Sequence, residues 1–205
     1  MKLAILGGTG RTGRLVVEQA VAAGHEVTTL ARHDDGTLAG PHVRVVLGDA
    51  RSEADVARLL QGQEAAISTL GSTKLGDDLM ARSTAALVVA AREAGVTRVV
   101  MLSSFLAAPP EQQSWLLALG RRLLQQVVRD YTAAQAAFEA SGLDWTVVYA
   151  TRLDGAPAET PARVLSADEK LRASNGIARA AVAAFLLAAT SDPSLSQQAV
   201  AITGK

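Results

Sequence analysis

The chain is 205 residues long, carries a formal net charge of zero, contains no cysteine and is 49% hydrophobic but only 3% aromatic. Its length and the lack of a Pro/Gly/Ser-rich linker predict one domain over residues 1–205, with an Ala, Val and Leu core suited to a parallel sheet covered by helices. Neutrality argues against nucleic acid or an anionic membrane as the main partner, and the missing cysteines exclude disulfides, thiolate nucleophiles and Cys-ligated zinc.

The opening residues Met1 to Leu6 are too short for a signal peptide, and no apolar run approaches membrane-spanning length. The expectation is a cytoplasmic protein, monomeric or homodimeric. Leu3 to Leu6 form strand one. It is followed by Gly7-Gly8-Thr9-Gly10-Arg11-Thr12-Gly13 and a helical pattern from Leu15 to Ala23. Glycines at this strand-to-helix junction let the backbone bend sharply and let a pyrophosphate approach its N–H groups, while the helix aims its positive end at the phosphates. The segment predicts a bound dinucleotide. Strand two runs from Glu26 to Arg32, and where an NAD-specific protein places an acid against the ribose hydroxyls this chain has Arg32, with no acid until Asp34 and Asp35. An arginine fork suits a 2′-phosphate, so NADPH is the expected cofactor. Arg11 either clamps the same phosphate or is a solvated charge.

Val43 to Leu47 reads as strand three, closed by Gly48-Asp49, and Ser52 to Asp55 reads as a capping box opening the next helix. Ala65 to Leu70 is a fourth strand, ending in Gly71-Ser72-Thr73. A helix starts at Asp77 or Asp78 with Leu79, Leu87, Val88 and Ala91 on one side. Val96 to Ser104 is strand five, a helical stretch covers about 112–140 with a break near Gly120, and Trp145 to Tyr149 is a strand. Segment 151–173 shows no period. A helix from about Gly176 to Ala189 and a strand from Ala199 to Thr203 complete the pattern. Repeated βα units predict a doubly wound sheet with its ligands at the carboxyl ends of the strands.

Those ends carry the candidate site: Gly7, Gly8, Thr9, Gly10, Arg11, Thr12 and Gly13, then Arg32, Asp49 and Ala50, Leu70 and Gly71, Ser103 and Ser104, and Tyr149. Asp49 is placed to accept from the adenine amino group or to serve as a turn residue. Leu70 and Gly71 pass beneath the adenosine. Ser103 and Ser104 fall near the nicotinamide, where a hydroxyl holds the carboxamide or a substrate oxygen, or else caps the local backbone. His25, His33 and His42 lack a second ligand at metal spacing, so no metal is expected.

The motifs Gly7 to Gly13, Leu30-Ala31-Arg32, Gly48-Asp49, Met101 to Ser104 and Ala140 to Val148 resemble those of the atypical short-chain dehydrogenase/reductases. Within that group the chain is similar to the NmrA-like NAD(P)H-binding proteins, near flavin reductase/biliverdin-IXβ reductase, and Asn175 to Leu187 resembles a further family helix. The resemblance implies a single-domain Rossmann-type fold and a nicotinamide cofactor. The family includes both reductases and regulators that bind the dinucleotide without turning it over.

Departures from the pattern bear on mechanism. Standard members pair tyrosine with lysine in Tyr-x-x-x-Lys, but here Tyr131 is followed by Gln135. Anchoring the alignment on Ser141-Gly142-Leu143 instead puts Val127 at the tyrosine position, and the dyad is again absent. Alcohol dehydrogenation and sugar epimerisation, which need that proton transfer, are disfavoured. Hydride delivery to a flat apolar flavin, quinone or polyketide-like acceptor needs less help. Tyr131 remains as proton donor or as a packed amphipathic tyrosine. Tyr149 and Ala150 replace the family's arginine and proline. Segments 105–128 and 151–173 are expected to shape the substrate side, with the apolar residues Phe105 to Ala108 and Trp115 to Leu119 forming a pocket wall, an interface or core. The alternatives are a non-catalytic NADP(H) sensor of NmrA type and a redox-neutral biosynthetic enzyme.

Overall fold

The computed structural model describes residues 1–33, 36–38, 40–71, 76–109, 113, 124–155, 160–166, 169–170 and 176–204. Its strands are β1 (Lys2–Leu6), β2 (Glu26–Ala31), β3 (Val43–Leu47), β4 (Ala65–Ser68), β5 (Arg98–Ser104), β6 (Asp144–Ala150), β7 (Arg152–Asp154), β8 (Arg163–Val164), β9 (Gly176–Ala178) and β10 (Gln198–Thr203). The helices are α1 (Arg11–Ala22), α2 (Glu53–Leu60), α3 (Leu79–Ala94), α4 (Gln125–Glu139) and α5 (Arg179–Ala189). Eight strands form one sheet in the order β3-β2-β1-β4-β5-β6-β10-β8, and β7 pairs with β9 apart from it. All neighbours in the large sheet are parallel except β8, which runs antiparallel to β10.

Period-two alternation divides the core into two layers. Ala4, Leu6, Met101, Val147 and Tyr149 face α2, α3 and α4, whereas Leu3, Ile5, Leu102, Val148 and Ala150 face α1 and α5. Leu3 to Leu6 are all fully buried, as a strand covered on both faces requires. The chain winds outward from β1 to β3 and then crosses back to β4 beside β1. The crevice between the carboxyl ends of β1 and β4 is therefore the point at which the winding reverses.

Some expected boundaries shift. Gly176 to Ala178, expected to open the last helix, instead form β9, and α5 starts at Arg179. Segment 151–173, expected to be irregular, contributes β7 and β8. The helical stretch expected from 112 is described as a helix only from Gln125, and the residues around Gly120 lie outside the described ones. The capping box is half formed. Ser52 Oγ accepts from Asp55 N at 3.3 Å, but Ser52 N donates to Asp49 O at 2.9 Å instead of to the Asp55 carboxylate, which accepts from Asp49 N at 2.8 Å.

Two buried charged groups tie helices to their neighbours. Arg98, 7% exposed, pairs with Asp144 at 2.9 Å, donates to Thr146 Oγ1 at 2.7 Å and reaches the carbonyl of Ala189 at the end of α5. Its cation thus meets the negative end of that helix. Asp130, on α4, accepts from Met80 N at 3.0 Å and Ala81 N at 2.8 Å. It caps α3 from another helix, because the side chain of Asp78, the residue preceding α3, makes no capping bond. Asp130→Ala strands two N–H groups in a buried place and is expected to destabilise the protein by about 2 kcal/mol, read as a shift in the urea midpoint at unchanged slope.

Candidate functional site

The turn after β1 is built around the carbonyl oxygen of Gly7. It accepts from Gly10 N at 2.9 Å, and Thr69 Oγ1, at the end of β4, lies 3.2 Å away. Gly7 has φ +84°, a backbone state that favours glycine. A Cβ on Gly13, in the first turn of α1, would stand 2.0 Å from that same oxygen. Only a bare backbone lets α1 settle this close to the turn. Gly10 differs. A Cβ there meets only Gly7 O, at 3.1 Å, and otherwise faces open space.

That space is a cavity of about 410 Å³ at the carboxyl ends of β1, β2, β3 and β4. It is lined by Gly7, Thr9 and Gly10 of the turn, by Arg32, by Asp49 and Ala50, and by Leu70 and Gly71, all anticipated from the sequence. Gly8, Thr12 and Gly13 support the turn from behind: a Cβ on Gly8 would fall 2.2 Å from Thr29 Oγ1, and Thr12 is buried. Arg51, Thr69 and Asp77, which the strand-end pattern did not mark, also line the cavity. Thr69 sits where the end of β4 meets the turn, a register position that only the β1–β4 pairing reveals. Asp34, Asp35, Ser72 and Thr73 lie outside the described residues.

Asp49 is more engaged than its place in a turn suggested. Its Oδ1 accepts from Arg51 N at 2.9 Å and Nε at 3.0 Å, and its Oδ2 accepts from Nη2 at 2.7 Å. These bonds, with the nearby charge of Arg32, hold its pKa down to about 2. Arg32 is exposed and makes no hydrogen bond or ion pair among the described residues. Arg11 stands apart from the cavity lining. It approaches Arg179 at the start of α5, whose pKa is lowered first by desolvation and then by repulsion from Arg11, against the pull of Asp154.

Ser103 and Ser104 end β5 but separate in role. Ser104 Oγ accepts from Leu106 N at 3.3 Å, the local cap. Ser103 is 5% exposed, and its hydroxyl has no hydrogen-bond partner among the described residues. Tyr131 is 8% exposed, and its hydroxyl lies 3.4 Å from the position a Cβ on Gly71 would take, which puts it behind the cavity wall. Tyr149, expected at the cofactor, points into the core instead. It is fully buried, and its hydroxyl donates to Gln135 Oε1, while Gln135 Nε2 donates to Glu139 at 2.8 Å. Among the described residues no group of three acidic, histidine or cysteine side chains is placed to hold a metal, and no helix is long and apolar enough to cross a membrane.

A backbone cradle at the switch point of a doubly wound sheet, open where Gly10 faces it, is the geometry a pyrophosphate requires, and it defines the class of Rossmann-type dinucleotide-binding proteins. The chain belongs to the NAD(P)H-binding family, whose model matches residues 7–193. Among curated proteins it is 29% identical over 116 residues to phenylcoumaran benzylic ether reductase TP7 of Nicotiana tabacum, and 28% identical over the same length to an isoflavone reductase homolog of Solanum tuberosum. Each match covers 51% of this chain and 35% of the relative, so the aligned part is about a third of those proteins. Among solved structures, the oxidoreductase YlbE from Lactococcus lactis superposes with a TM-score of 0.85 at 21% identity, over 98% of this chain and 90% of that one. ChuY, an anaerobilin reductase from Escherichia coli O157:H7, gives 0.83 at 24% over 98% and 96%. A short-chain dehydrogenase/reductase from Veillonella parvula in complex with NADP gives 0.77 at 17% over 98% and 93%. The fold is the one these solved structures share.

Desolvation raises the pKa of Tyr149 to about 12, with the charge of Glu139 adding to the rise and the bond to Gln135 opposing it. The folded state therefore keeps a proton that the unfolded state releases near pH 10, so this contribution is complete below pH 10 and is lost as pH climbs toward 12. Wild type is expected to lose a little under about 2 kcal/mol more than Tyr149→Phe between pH 9 and pH 11.5, which paired denaturant titrations at those two pH values would measure.

Proposed function

We propose that the protein is an NADPH-dependent reductase that presents the nicotinamide to a planar conjugated acceptor such as a flavin, a quinone or a polyketide-like molecule. The observation that carries this reading is the state of Gln135. It occupies the place of the dyad lysine relative to Tyr131, and its amide is bonded to Tyr149 and Glu139, so it brings no cation to a tyrosine hydroxyl. A carbinol oxygen would find no activated proton donor here, whereas an electrophilic, delocalised acceptor takes a hydride without one.

NADPH, when bound, supplies the hydride. The protein's own part is to hold and orient. The turn residues that line the cavity, Gly7, Thr9 and Gly10, and the positive end of α1 would hold the diphosphate, and Arg32, exposed at the end of β2, would pair with the 2′-phosphate. Ala50, Leu70 and Gly71 form the floor under the adenosine. The Ser103 hydroxyl is left to hold the carboxamide or an acceptor oxygen, and Tyr131, behind Gly71, is the remaining donor near that end. Segments 105–128 and 151–173 shape the acceptor side of this one domain, and Trp115 to Leu119 lie outside the described residues. The absence of cysteine supports a cytoplasmic setting.

The second reading is a sensor that binds NADP(H) without turnover. Burial of both tyrosines supports it. Incubation with NADPH and FMN, riboflavin or a quinone separates the two: a reductase consumes NADPH with at least one acceptor, whereas a sensor binds oxidised and reduced cofactor and consumes none.

Gly10→Val is expected to fold, since its Cβ meets only Gly7 O at 3.1 Å and needs a shift of a few tenths of an ångström in the turn, and to lose NADPH binding; retained affinity in calorimetry would remove the cleft as the cofactor site. Arg32→Asp is expected to weaken NADPH relative to NADH by roughly 1.5–3 kcal/mol. Equal losses for the two cofactors would show that Arg32 does not meet the 2′-phosphate.

A further inference from the structure

We infer that Arg51 is a second determinant of cofactor choice, closing on the 2′-phosphate opposite Arg32, and that Asp49 serves to position Arg51 more than to read adenine. The inference deepens the NADPH reading and rests on it. Arg51 and Arg32 line the same cavity from the turns after β3 and β2, which are neighbouring strands. Arg32 is the exposed half of the pair. Arg51 is the fixed half: its backbone N–H and its guanidinium both bond to the Asp49 carboxylate. Of the five N–H groups of a guanidinium, Nε–H and one on Nη2 are engaged by Asp49, leaving three for an anion.

Asp49 is itself held on both sides. Its N–H donates to Asp55 Oδ2 at 2.8 Å, and its carbonyl accepts from Ser52 N at 2.9 Å. Arg58 pairs with Asp55 Oδ1 at 2.9 Å and donates to Leu47 O at 2.8 Å, which locks the first turn of α2 onto the end of β3. A Cβ on Gly48 would lie 2.7 Å from Asp55, so the two segments are in direct contact. Both Asp49 carboxylate oxygens are occupied by Arg51, so an adenine amino group would have to share an acceptor already in use. The ion pair orients a fork, and a fork with free donors at the rim of the adenosine pocket suits a phosphate. The carboxylates of Asp77 and Asp78 also act on Arg51 and help keep it charged.

The test is calorimetric titration of the full chain with adenosine 2′,5′-bisphosphate and with AMP, which differ only in the 2′-phosphate, alongside NADPH and NADH. Wild type should prefer the 2′-phosphorylated member of each pair. Arg51→Ala should reduce that preference by about tenfold or more, with AMP and NADH affinities nearly unchanged. Arg51→Gln, which keeps a long polar side chain, guards against a folding defect and should show the same loss. Asp49→Asn should lower the preference by a smaller factor in the same direction, an outcome that a general loosening of the turn would not give, since loosening weakens both members of each pair alike. Equal weakening of AMP and bisphosphate in the Arg51 variants would assign Arg51 to the adenine ring and overturn the inference. Full retention of the preference would overturn it while leaving the NADPH reading intact. A wild type with no preference would overturn both.

Discussion

One carbonyl oxygen sets the geometry of this molecule's working edge. Gly7 O receives the Gly10 N–H, lies beside Thr69 Oγ1 and leaves only 2.0 Å for anything that would grow from Gly13. β1, β4 and α1 therefore meet at a single point, with no side chain between the end of β1 and α1 and the Thr69 hydroxyl reaching in from the end of β4. Such backbone-to-backbone contact has little tolerance, because a close-packed interior yields poorly to an added methyl group. The direction of α1, and with it the direction of its dipole and of the loop N–H groups, follows from that contact. Moving α1 outward to admit a Cβ would turn the positive end of the helix away from the cavity.

The same economy appears in the charged groups that are buried. Asp130 stands beside Tyr131 in sequence and resembles a partner for a catalytic tyrosine, yet its carboxylate faces two N–H groups of α3. Its work is mechanical. Because α3 also contributes Leu79 to the cavity wall, the cap fixes the wall in relation to α4, the helix that carries Tyr131. Arg98 does the corresponding task at the opposite edge of the sheet, where it joins Asp144, Thr146 and the end of α5. Buried charges thus brace the sheet at both edges, Asp130 behind the cavity wall and Arg98 at the amino ends of β5 and β6. The carboxyl edge is left with exposed Arg32 and an open cleft, the division expected of a scaffold that presents a site.

How much of this was legible in the sequence depends on the separation of the partners. The glycine turn, β3 and the carboxyl ends of the main strands could be read because each is a local pattern of turn residues or alternating burial. Thr69 could not, since its meaning comes from Gly7, 62 positions away. Asp130 reaches 50 positions back to Met80, and nothing in either segment announces it. Asp55 followed the capping-box rule for its N–H and broke it for its carboxylate, because Asp49 offered a donor that the rule does not consider. The strands β7, β8 and β9 have two or three residues each, too few to carry a period. Arg51 is the instructive omission. Two residues after Asp49 it is within reach of an Asx-type turn, so spacing alone was enough to raise it.

The loss of the dyad lysine also changes what the remaining tyrosines are able to do. A lysine cation stabilises a phenolate and brings its pKa toward neutrality, whereas the Gln135 amide offers only a dipole and has already committed both ends, one to Tyr149 and one to Glu139. Tyr149 accordingly moves the other way, to about 12, because burial penalises its anion more than one hydrogen bond relieves it. A phenol in that state holds its proton across the physiological range and gives a weak push to any proton transfer. With that hydroxyl closed off in the core and Ser104 bound to its own backbone, Ser103 is the β5 hydroxyl to which the proposed reaction assigns a ligand oxygen. A serine can orient an oxygen but cannot substitute for an acid of matched pKa. The burden of reactivity then falls on the acceptor, and this physical asymmetry is what favours conjugated, electron-poor substrates over simple carbonyls in the proposed reaction.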